Sequence, residues 1–217
     1  MRKTFAILLL ILFISPITNA QTRWSFELHG GQVFNVPMPL IIRQEGFQDI
    51  KLWARFDTEP FVLPVYWDWR FSRWEAGKAW EFEVIHHKLY LSNTTPEIQK
   101  YNISHGFNML MFNRVFQKKF VRVRVGAGVI LSHPESKIRG LEFGDTGNEM
   151  DMGYFISGPV VNFAVSKPFY LGSRFYINAE VKTTFAYSSI EIANGNSDVY
   201  NLAFHLNLGP GVVFLKK

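Results

Sequence analysis

The stretch Arg-Phe-Tyr-Ile-Asn-Ala-Glu-Val-Lys-Thr-Thr, residues 174–184, decides the fold because its polar and apolar side chains alternate. Its apolar positions are Phe175, Ile177, Ala179 and Val181. Successive side chains of a β-strand point to opposite faces, so this period of two predicts a strand with one apolar and one polar face. Several other segments repeat the pattern, and the chain is therefore predicted to be all-β.

The N-terminal residues have the layout of a secretion signal. Basic residues precede an apolar run from Phe5 to Ile14, and Thr18-Asn19-Ala20 has the small-x-small form of a cleavage site. The run is shorter than the roughly 20 residues that a membrane-spanning helix needs. We predict a signal peptide over residues 1–20 and a single barrel domain over residues 21–217.

The composition narrows the classes of protein and of partner. The chain has no cysteine, which excludes disulfides and a lipidated cysteine. Its formal net charge of +5 comes without a long run of basic residues, so nucleic acid is not expected as a partner. Aromatic residues make up 16% of the chain, and strands cross a bilayer with only half of their residues apolar. These features predict an antiparallel, up-and-down transmembrane β-barrel in a bacterial outer membrane.

Ten segments have strand character, and most reach the roughly 9 to 11 residues that a tilted membrane strand requires. They are residues 23–34, 39–44, 49–57, 61–73, 79–92, 101–114, 119–132, 153–166, 173–191 and 199–215. The barrel is predicted to have eight to ten strands. The count is ten if residues 40–43 form a barrel strand, and eight if they belong to a loop or lid.

The connections alternate in length, as in outer-membrane barrels, which have short periplasmic turns and long outer loops. Residues 92–100, 133–152 and 193–198 are predicted to lie outside, and residues 116–119 and 166–172 in the periplasm. Because outer loops commonly carry function, the long charged loop 133–152 is the candidate contact surface for an extracellular ligand. The alternative is a solvated loop without a partner.

The alternation also assigns side chains to the two faces of the wall. The predicted lumen residues are Glu27, Arg55, Asp68, Arg70, Glu81, Glu83, Arg122, Arg124, Glu180, Lys182 and His205. The predicted lipid-facing residues are Trp24, Phe26, Leu28, Trp67, Trp69, Phe71, Val121, Val123, Val125, Leu202, Phe204 and Leu206. The aromatic residues expected in interfacial girdles are Trp24, Trp74, Trp80, Tyr90, Tyr101, Phe116, Phe120, Phe169 and Tyr170.

Charges of both signs in a narrow lumen predict an interlocked ionic core. A barrel of eight to ten strands is narrow enough for side chains to fill, and buried charges need partners. The alternative is a continuous water path through the barrel, which would make the protein a narrow pore or small-molecule transporter. Such a path would be lined by Arg122, Arg124, Glu180 and Lys182.

The C-terminal segment Asn207-Leu208-Gly209-Pro210-Gly211-Val212-Val213-Phe214 resembles the last-strand assembly signal of bacterial outer-membrane proteins. The shared form is polar-x-Gly-x-x-apolar-x-aromatic. This chain departs from it in the three residues after Phe214 and in Pro210, which removes one ladder donor. The resemblance implies the barrel-assembly machinery as a partner during biogenesis, and the whole mature chain is similar in pattern to small outer-membrane barrels.

One predicted hairpin carries residues suited to acyl transfer. Residues 81–88 and 102–108 flank an outer loop, and they contain a hydroxyl, imidazoles and a carboxylate. The candidate catalytic residues are Ser104, His86, His87, His105 and Glu83. The set resembles the triad of outer-membrane lipid A deacylases, although those enzymes place His and Ser two apart on one strand. Neither a metal ion nor a cofactor is expected, because the adjacent His86 and His87 would point apart.

The expected function is a structural or surface-interaction role for a barrel with a side-chain-filled lumen, in contact with lipopolysaccharide and other outer-membrane lipids. The protein is not predicted to be an enzyme. Two alternatives stay open: an acyl hydrolase acting on lipid A or phospholipid at the outer leaflet, and the narrow pore. The sequence does not indicate an oligomeric state.

Overall fold

The computed structural model describes residues 22–144 and 153–215. The predicted signal peptide, part of the loop 133–152 and the last two residues lie outside this range. Within it no helix is long and apolar enough to cross a membrane. The strands are β1 (Arg23–Val36), β2 (Met38–Gln44), β3 (Ile50–Ala54), β4 (Phe56–Asp57), β5 (Trp67–Glu75), β6 (Lys78–His86), β7 (Leu89–Leu91), β8 (Ile98–Ile103), β9 (Phe107–Gln117), β10 (Arg122–Ser132), β11 (Glu135–Ile138), β12 (Leu141–Phe143), β13 (Phe155–Tyr170), β14 (Phe175–Ile192) and β15 (Gly195–Leu215).

Eight strands form a closed antiparallel barrel in the order β1-β5-β6-β9-β10-β13-β14-β15. Pairing of β1 with β15, from Arg23 opposite Leu215 to Val36 opposite Leu202, closes it. The prediction of an all-β, up-and-down barrel is confirmed. The number of barrel strands, which the sequence left between eight and ten, is eight. Residues 40–43 do form a strand, but β2 pairs with residues 195–199, where the β14–β15 hairpin extends past the barrel wall.

The other short strands build a lid over the end of the barrel that carries the long connections. β4, β7, β8, β11 and β12 form a five-stranded sheet, and β3 pairs with β2 beside it. The predicted segments 79–92 and 101–114 each merged a barrel strand with a lid strand. The second break falls at Gly106, whose φ of +147° favours glycine. Alternation continues on both sides of each break, so the sequence pattern did not reveal it.

An apolar core joins the lid to the upper half of the barrel. Phe107, Met109 and Ile130 from the barrel pack in one buried cluster with Ile98 and Ile103 from the lid. The lumen therefore changes from apolar at the lid end to charged toward the opposite end. Burial of this surface stabilises the lid as a folded layer rather than a set of free loops.

The outer face of the barrel is apolar, as the alternation predicts. Each of the twelve predicted lipid-facing residues is exposed or half-exposed, whereas the residues between them along the strands point inward. Exposed or half-exposed aromatic side chains lie at one end of the outer face, as the girdle prediction expects, at Trp24, Trp80, Phe116, Phe120 and Phe169.

Four aromatic residues of the predicted girdle lie elsewhere. Tyr170 lies opposite Tyr176 on the lumen side, and its hydroxyl accepts a hydrogen bond from Arg122 at 3.0 Å. Trp74 is only 2% exposed and points inward, where its indole N–H donates to Ser25 Oγ at 2.9 Å. Tyr90 and Tyr101 belong to lid strands, and Tyr101 is buried in the apolar core. The assignments of Tyr90 and Tyr101 were wrong because they assumed that every strand end lies at a membrane surface. Those of Trp74 and Tyr170 were wrong because they ignored which face of the strand each side chain takes.

Three short turns and both ends of the described barrel lie at the end opposite the lid, which we call the turn end. The turns connect β5 to β6, β9 to β10 and β13 to β14. The predicted periplasmic connections 116–119 and 166–172 fall at this end, and the predicted outer connections fall at the lid end. In outer-membrane barrels the short turns face the periplasm, so the lid faces outward.

Replacing Tyr101 with phenylalanine should loosen the lid. The Tyr101 hydroxyl hydrogen bonds to Ser197 Oγ at 2.7 Å and links β8 to β15. We expect the free energy of unfolding to fall by about 1 kcal/mol, measured by denaturant titration with hydrogen exchange of the lid. Tyr90→Phe is the control, because the Tyr90 hydroxyl has no hydrogen bond within the described residues. Equal effects of the two variants would contradict this role.

Candidate functional sites in the lumen and the lid

A network of buried charges fills the lumen toward the turn end. It contains four cationic side chains and five carboxylates, all at most 4% exposed. We call this set the lumen network: Glu27, Asp68, Arg70, Glu81, Glu83, Arg122, Arg124, Glu180 and Lys182. Strand alternation places these side chains inside, so this part of the lumen prediction is confirmed.

Arg70 and Arg124 are the centres of the network. The Arg70 guanidinium lies 2.6 Å from a Glu180 oxygen and 3.1 Å from Glu27. Arg124 reaches Glu81 at 2.9 Å and the same Glu180 oxygen at 3.0 Å. These residues come from β1, β5, β6, β10 and β14, so the ion pairs connect strands that are not neighbours in the barrel.

Arg122 and Lys182 supply the other two cationic groups, at the two ends of the network. Arg122 lies 2.6 Å from Glu27, and its guanidinium is 4.8 Å from the ring centroids of both Trp74 and Tyr176. Lys182 Nζ lies 3.0 Å from Asp68 and also contacts Glu83. Arg122 thus closes the turn end together with aromatic rings, and Lys182 neutralises the acidic side chains nearer the lid.

The three carboxylates of Asp68, Glu83 and Glu180 are close enough to one another to hold a metal ion. The Lys182 ammonium contacts all three, at 3.0 Å from Asp68 and 3.3 Å from Glu180. This side chain supplies the positive charge that three converging carboxylates require. The donor set is therefore that of an ion-pair network and does not favour a divalent cation.

Arg55 was wrongly predicted to face the lumen. It is exposed in the lid, between β3 and β4, and its backbone N–H donates to Asn93 Oδ1 at 2.7 Å. The alternation around it is real, but it belongs to two short strands, β3 and β4, that lie outside the barrel wall.

Replacing Arg124 with methionine should lower the free energy of unfolding by about 3 to 5 kcal/mol, because Glu81 then loses its only cationic partner among the described residues. Arg55→Met is the matched control, and it should change stability by at most about 0.5 kcal/mol. Urea unfolding in lipid vesicles, followed by tryptophan fluorescence, measures both. Similar losses in the two variants would contradict the structural assignment.

A polar layer of histidine, tyrosine, threonine and asparagine side chains separates the lumen network from the apolar core. His205 is hydrogen bonded to the Tyr66 hydroxyl at 3.1 Å and to Thr184 Oγ1 at 3.0 Å. His87 Nε2 lies 3.1 Å from Asn35 Oδ1, and its ring packs near that of His205. The prediction that His205 lines the lumen is confirmed.

The predicted catalytic residues lie in different environments. Glu83 accepts a hydrogen bond from Asn113 at 2.8 Å within the lumen network, and His87 belongs to the polar layer. His86 Nδ1 lies 2.7 Å from Asn108 Oδ1, and its ring stacks on Trp67. Within the described chain, no hydrogen bond joins Ser104 to any of these three. Strand β6 ends at His86, and the irregular backbone after it turns His87 inward. Ser104, in contrast, lies in the lid beyond the end of β8.

Ser104 and His105 instead meet Glu135, a residue that the sequence did not single out. Glu135 Oε1 accepts a hydrogen bond from Ser104 Oγ and lies near His105 Nδ1, each at 2.8 Å, and Oε2 pairs with Lys100 Nζ at 2.6 Å. Ser104 and His105 share this partner because they lie outside any strand. Glu135 is 31 residues from Ser104 along the chain, so only the pairing of β8 with β11 brings them together.

This lid cluster differs from a catalytic triad in its connectivity. In a triad one imidazole nitrogen faces the hydroxyl and the other faces the carboxylate. Here Ser104 Oγ and Glu135 Oε1 both approach Nδ1 of His105, at 3.4 and 2.8 Å. The serine hydroxyl donates its proton to the carboxylate and not to the imidazole. The arrangement therefore favours a structural contact that holds lid segments together over an activated nucleophile.

The environment of Glu135 favours the charged form of its carboxyl group. Burial opposes ionisation, but hydrogen bonds from Lys100 and Ser104 outweigh it and hold the pKa of Glu135 below its ordinary value of 4.5. Because the folded-state pKa is lowered, the contribution of this group to stability is present above pH 4.5 and is lost as the pH falls through the folded-state pKa.

Lys100→Gln should raise the pKa of Glu135 toward 4.5, because it removes a hydrogen bond and a positive charge. Carbon-13 NMR of the glutamate carboxyl groups in micelles reports this titration. Lys51→Gln, an exposed change elsewhere on the lid, should leave the pKa of Glu135 unchanged. An unshifted Glu135 titration in Lys100→Gln would show that Lys100 does not stabilise the carboxylate in solution.

Comparisons with known proteins identify the fold but no family. No protein-family model and no curated protein matches the chain. Among solved structures, it is similar to the outer membrane protein AlkL, determined in DMPC bilayers, with 13% identity, a TM-score of 0.51 and coverage of 94% of this chain and 95% of that chain. OprG from Pseudomonas aeruginosa matches with 10% identity, a TM-score of 0.48 and coverage of 91% and 98%. Ail, the attachment invasion locus protein of Yersinia pestis, matches with 10% identity, a TM-score of 0.40 and coverage of 91% and 100%.

The fold defines the class of protein. An eight-stranded closed barrel with an apolar outer face, similar in fold to AlkL, is a small outer-membrane β-barrel. This is the architecture and the outer-membrane location that the alternating strands predict.

Proposed function

We propose that the protein is a surface-interaction barrel, in which the lumen network supports the wall and the lid presents a contact surface outside the cell. The observation that carries this proposal is that the outer connections fold into sheets packed on the barrel, with aromatic side chains left exposed on them. Ordered aromatic anchors are typical of binding surfaces, because little conformational entropy is lost when they bind.

The β2–β3 hairpin is the proposed contact element. Phe47 at its tip is 54% exposed, and Trp53 on β3 is 66% exposed. Arg139 holds the hairpin from the lid: its guanidinium donates to Gln48 O at 2.8 Å and lies 4.7 Å from the Phe47 ring centroid. The loop 133–152, expected to contact a ligand, would then contribute by supporting the hairpin through Arg139.

The edge of this hairpin is protected against simple strand addition. The Asn93 side chain donates to Trp53 O at 2.9 Å and accepts from Arg55 N at 2.7 Å. These bonds satisfy backbone groups that an added strand would need. Side-chain contact through Phe47 and Trp53 is therefore the favoured mode of binding.

The proposal is tested with cells that display the protein and a panel of purified extracellular proteins and polysaccharides. We expect saturable binding of at least one component, reduced about tenfold or more by Phe47→Ser with Trp53→Ser, in line with hot-spot losses of 1 to 2 kcal/mol or more. Phe120→Ser is the matched control, because Phe120 is also 66% exposed but lies at the turn end.

Two outcomes would replace this proposal. Steady single-channel conductance of the refolded protein would favour the narrow pore. Loss of an acyl chain from lipid A or phospholipid, detected by mass spectrometry and abolished by Ser104→Ala, would favour the hydrolase. We expect neither conductance nor acyl-chain loss. We do expect the binding that depends on Phe47 and Trp53.

A further inference from the structure

Positive charge is concentrated at the turn end of the barrel. Outside the lumen network, the described residues there include eight basic side chains and one acidic side chain, Glu75. We call the basic set the basic collar: Arg23, Arg73, Lys78, Arg114, Lys118, Lys119, Lys167 and Arg174. At the lid end, in contrast, basic side chains pair with acidic ones, as in Arg43–Asp198 and Lys137–Glu142, both at 2.8 Å.

Part of the basic collar forms an ordered row with tryptophans on the outer face. Trp24 on β1 lies opposite Arg73 on β5, Arg73 lies opposite Trp80 on β6, and Trp80 lies opposite Arg114 on β9. Cross-strand partners are about 4.5 to 5.5 Å apart, so the four side chains form a continuous strip of alternating rings and cations. The Arg114 guanidinium lies 4.6 Å from the Trp80 ring centroid.

The pairing of cations with aromatic rings extends around the turn end. Lys119 Nζ lies 5.0 Å from the Phe120 ring centroid, and Lys167 Nζ lies 5.1 Å from that of Phe169. Tryptophan and other aromatic side chains mark the membrane–water interface. The basic groups beside them therefore lie at the depth of lipid phosphates.

The described residues leave most of this charge without an acidic partner. Within residues 22–144 and 153–215, the only ion pair made by the basic collar joins Arg73 to Glu75, at a distance of 3.9 Å between exposed side chains. Arginine binds phosphate oxygens with two parallel hydrogen bonds, and basic groups near a membrane surface attract anionic lipids. The charge and the depth of the basic collar thus match a lipid phosphate that carries no compensating ammonium.

We propose that the outer row of the basic collar, centred on Arg73 and Arg114, is a binding surface for anionic phospholipid headgroups of the phosphatidylglycerol type. The turn end faces the periplasm by the topology of the barrel, so the lipids are those of the periplasmic leaflet. The tryptophan rings pack against the glycerol region, and the guanidinium groups bind the phosphates. This surface is independent of the contact element proposed on the lid.

The test is tryptophan quenching by lipids with brominated acyl chains. The refolded barrel is placed in phosphatidylcholine bilayers containing a small fraction of brominated phosphatidylglycerol or brominated phosphatidylcholine, at low salt. Trp67 and Trp69, which also face the lipid, are replaced by phenylalanine in every protein tested, so quenching of Trp24 and Trp80 reports which lipid occupies the row. We expect the wild type to favour phosphatidylglycerol by roughly fivefold for each of the two arginines, and Arg73→Gln with Arg114→Gln to bring this preference close to equal association.

Lys51→Gln with Arg55→Gln is the matched control, because it removes two exposed charges from the lid. It should keep the wild-type preference, whereas Arg73→Lys with Arg114→Lys, which keeps both charges but loses the paired hydrogen bonds, should keep more of the preference than the glutamine variant and less than the wild type. Sodium chloride should reduce the preference in the wild type, which keeps the test decisive if the glutamine variant does not fold. Equal quenching by both lipids in the wild type, a salt-insensitive preference, or equal losses in the glutamine variant and the lid control would overturn the proposal.

Discussion

Neutralisation of buried charge is the constraint on which the rest of this barrel depends. Arg70 on β5 and Arg124 on β10 share Glu180 on β14, so strands from separate parts of the wall meet at one carboxylate. Slipping any of these strands by one residue would move charges to the lipid face and apolar groups into the lumen. The lumen network therefore specifies the register of the wall as well as filling it.

The change from charged to apolar lumen explains why the outer connections are folded. Toward the lid, the inward face of β9 carries the apolar Phe107 and Met109, whereas the polar Asn113 lies nearer the turn end, and these apolar side chains need an apolar partner. Ile98 and Ile103 of β8 provide one from above. The lid is thus the cover of an apolar core, and a platform of this kind can hold exposed aromatic residues in fixed positions.

The serine and histidine candidates illustrate how tertiary structure changes the meaning of a residue set. Alternation within one strand would place Ser104 and His105 on opposite faces. The irregular backbone between β8 and β9 brings both to Glu135, while Glu83 and His87 serve the lumen and the polar layer. Chemically suitable residues near one another in sequence thus became a surface joint and parts of two internal layers.

The sequence by itself determined the class of fold, the apolar outer face and most of the charged lumen, because a period of two is a local property that each strand carries. It also indicated which connections are short. Only the tertiary structure decided that β2 is a lid strand, that Arg55 and Tyr101 belong to the lid, and that Trp74 closes the lumen. These features depend on which strands pair and where the wall ends, and a local pattern is the same in a barrel strand and a lid strand.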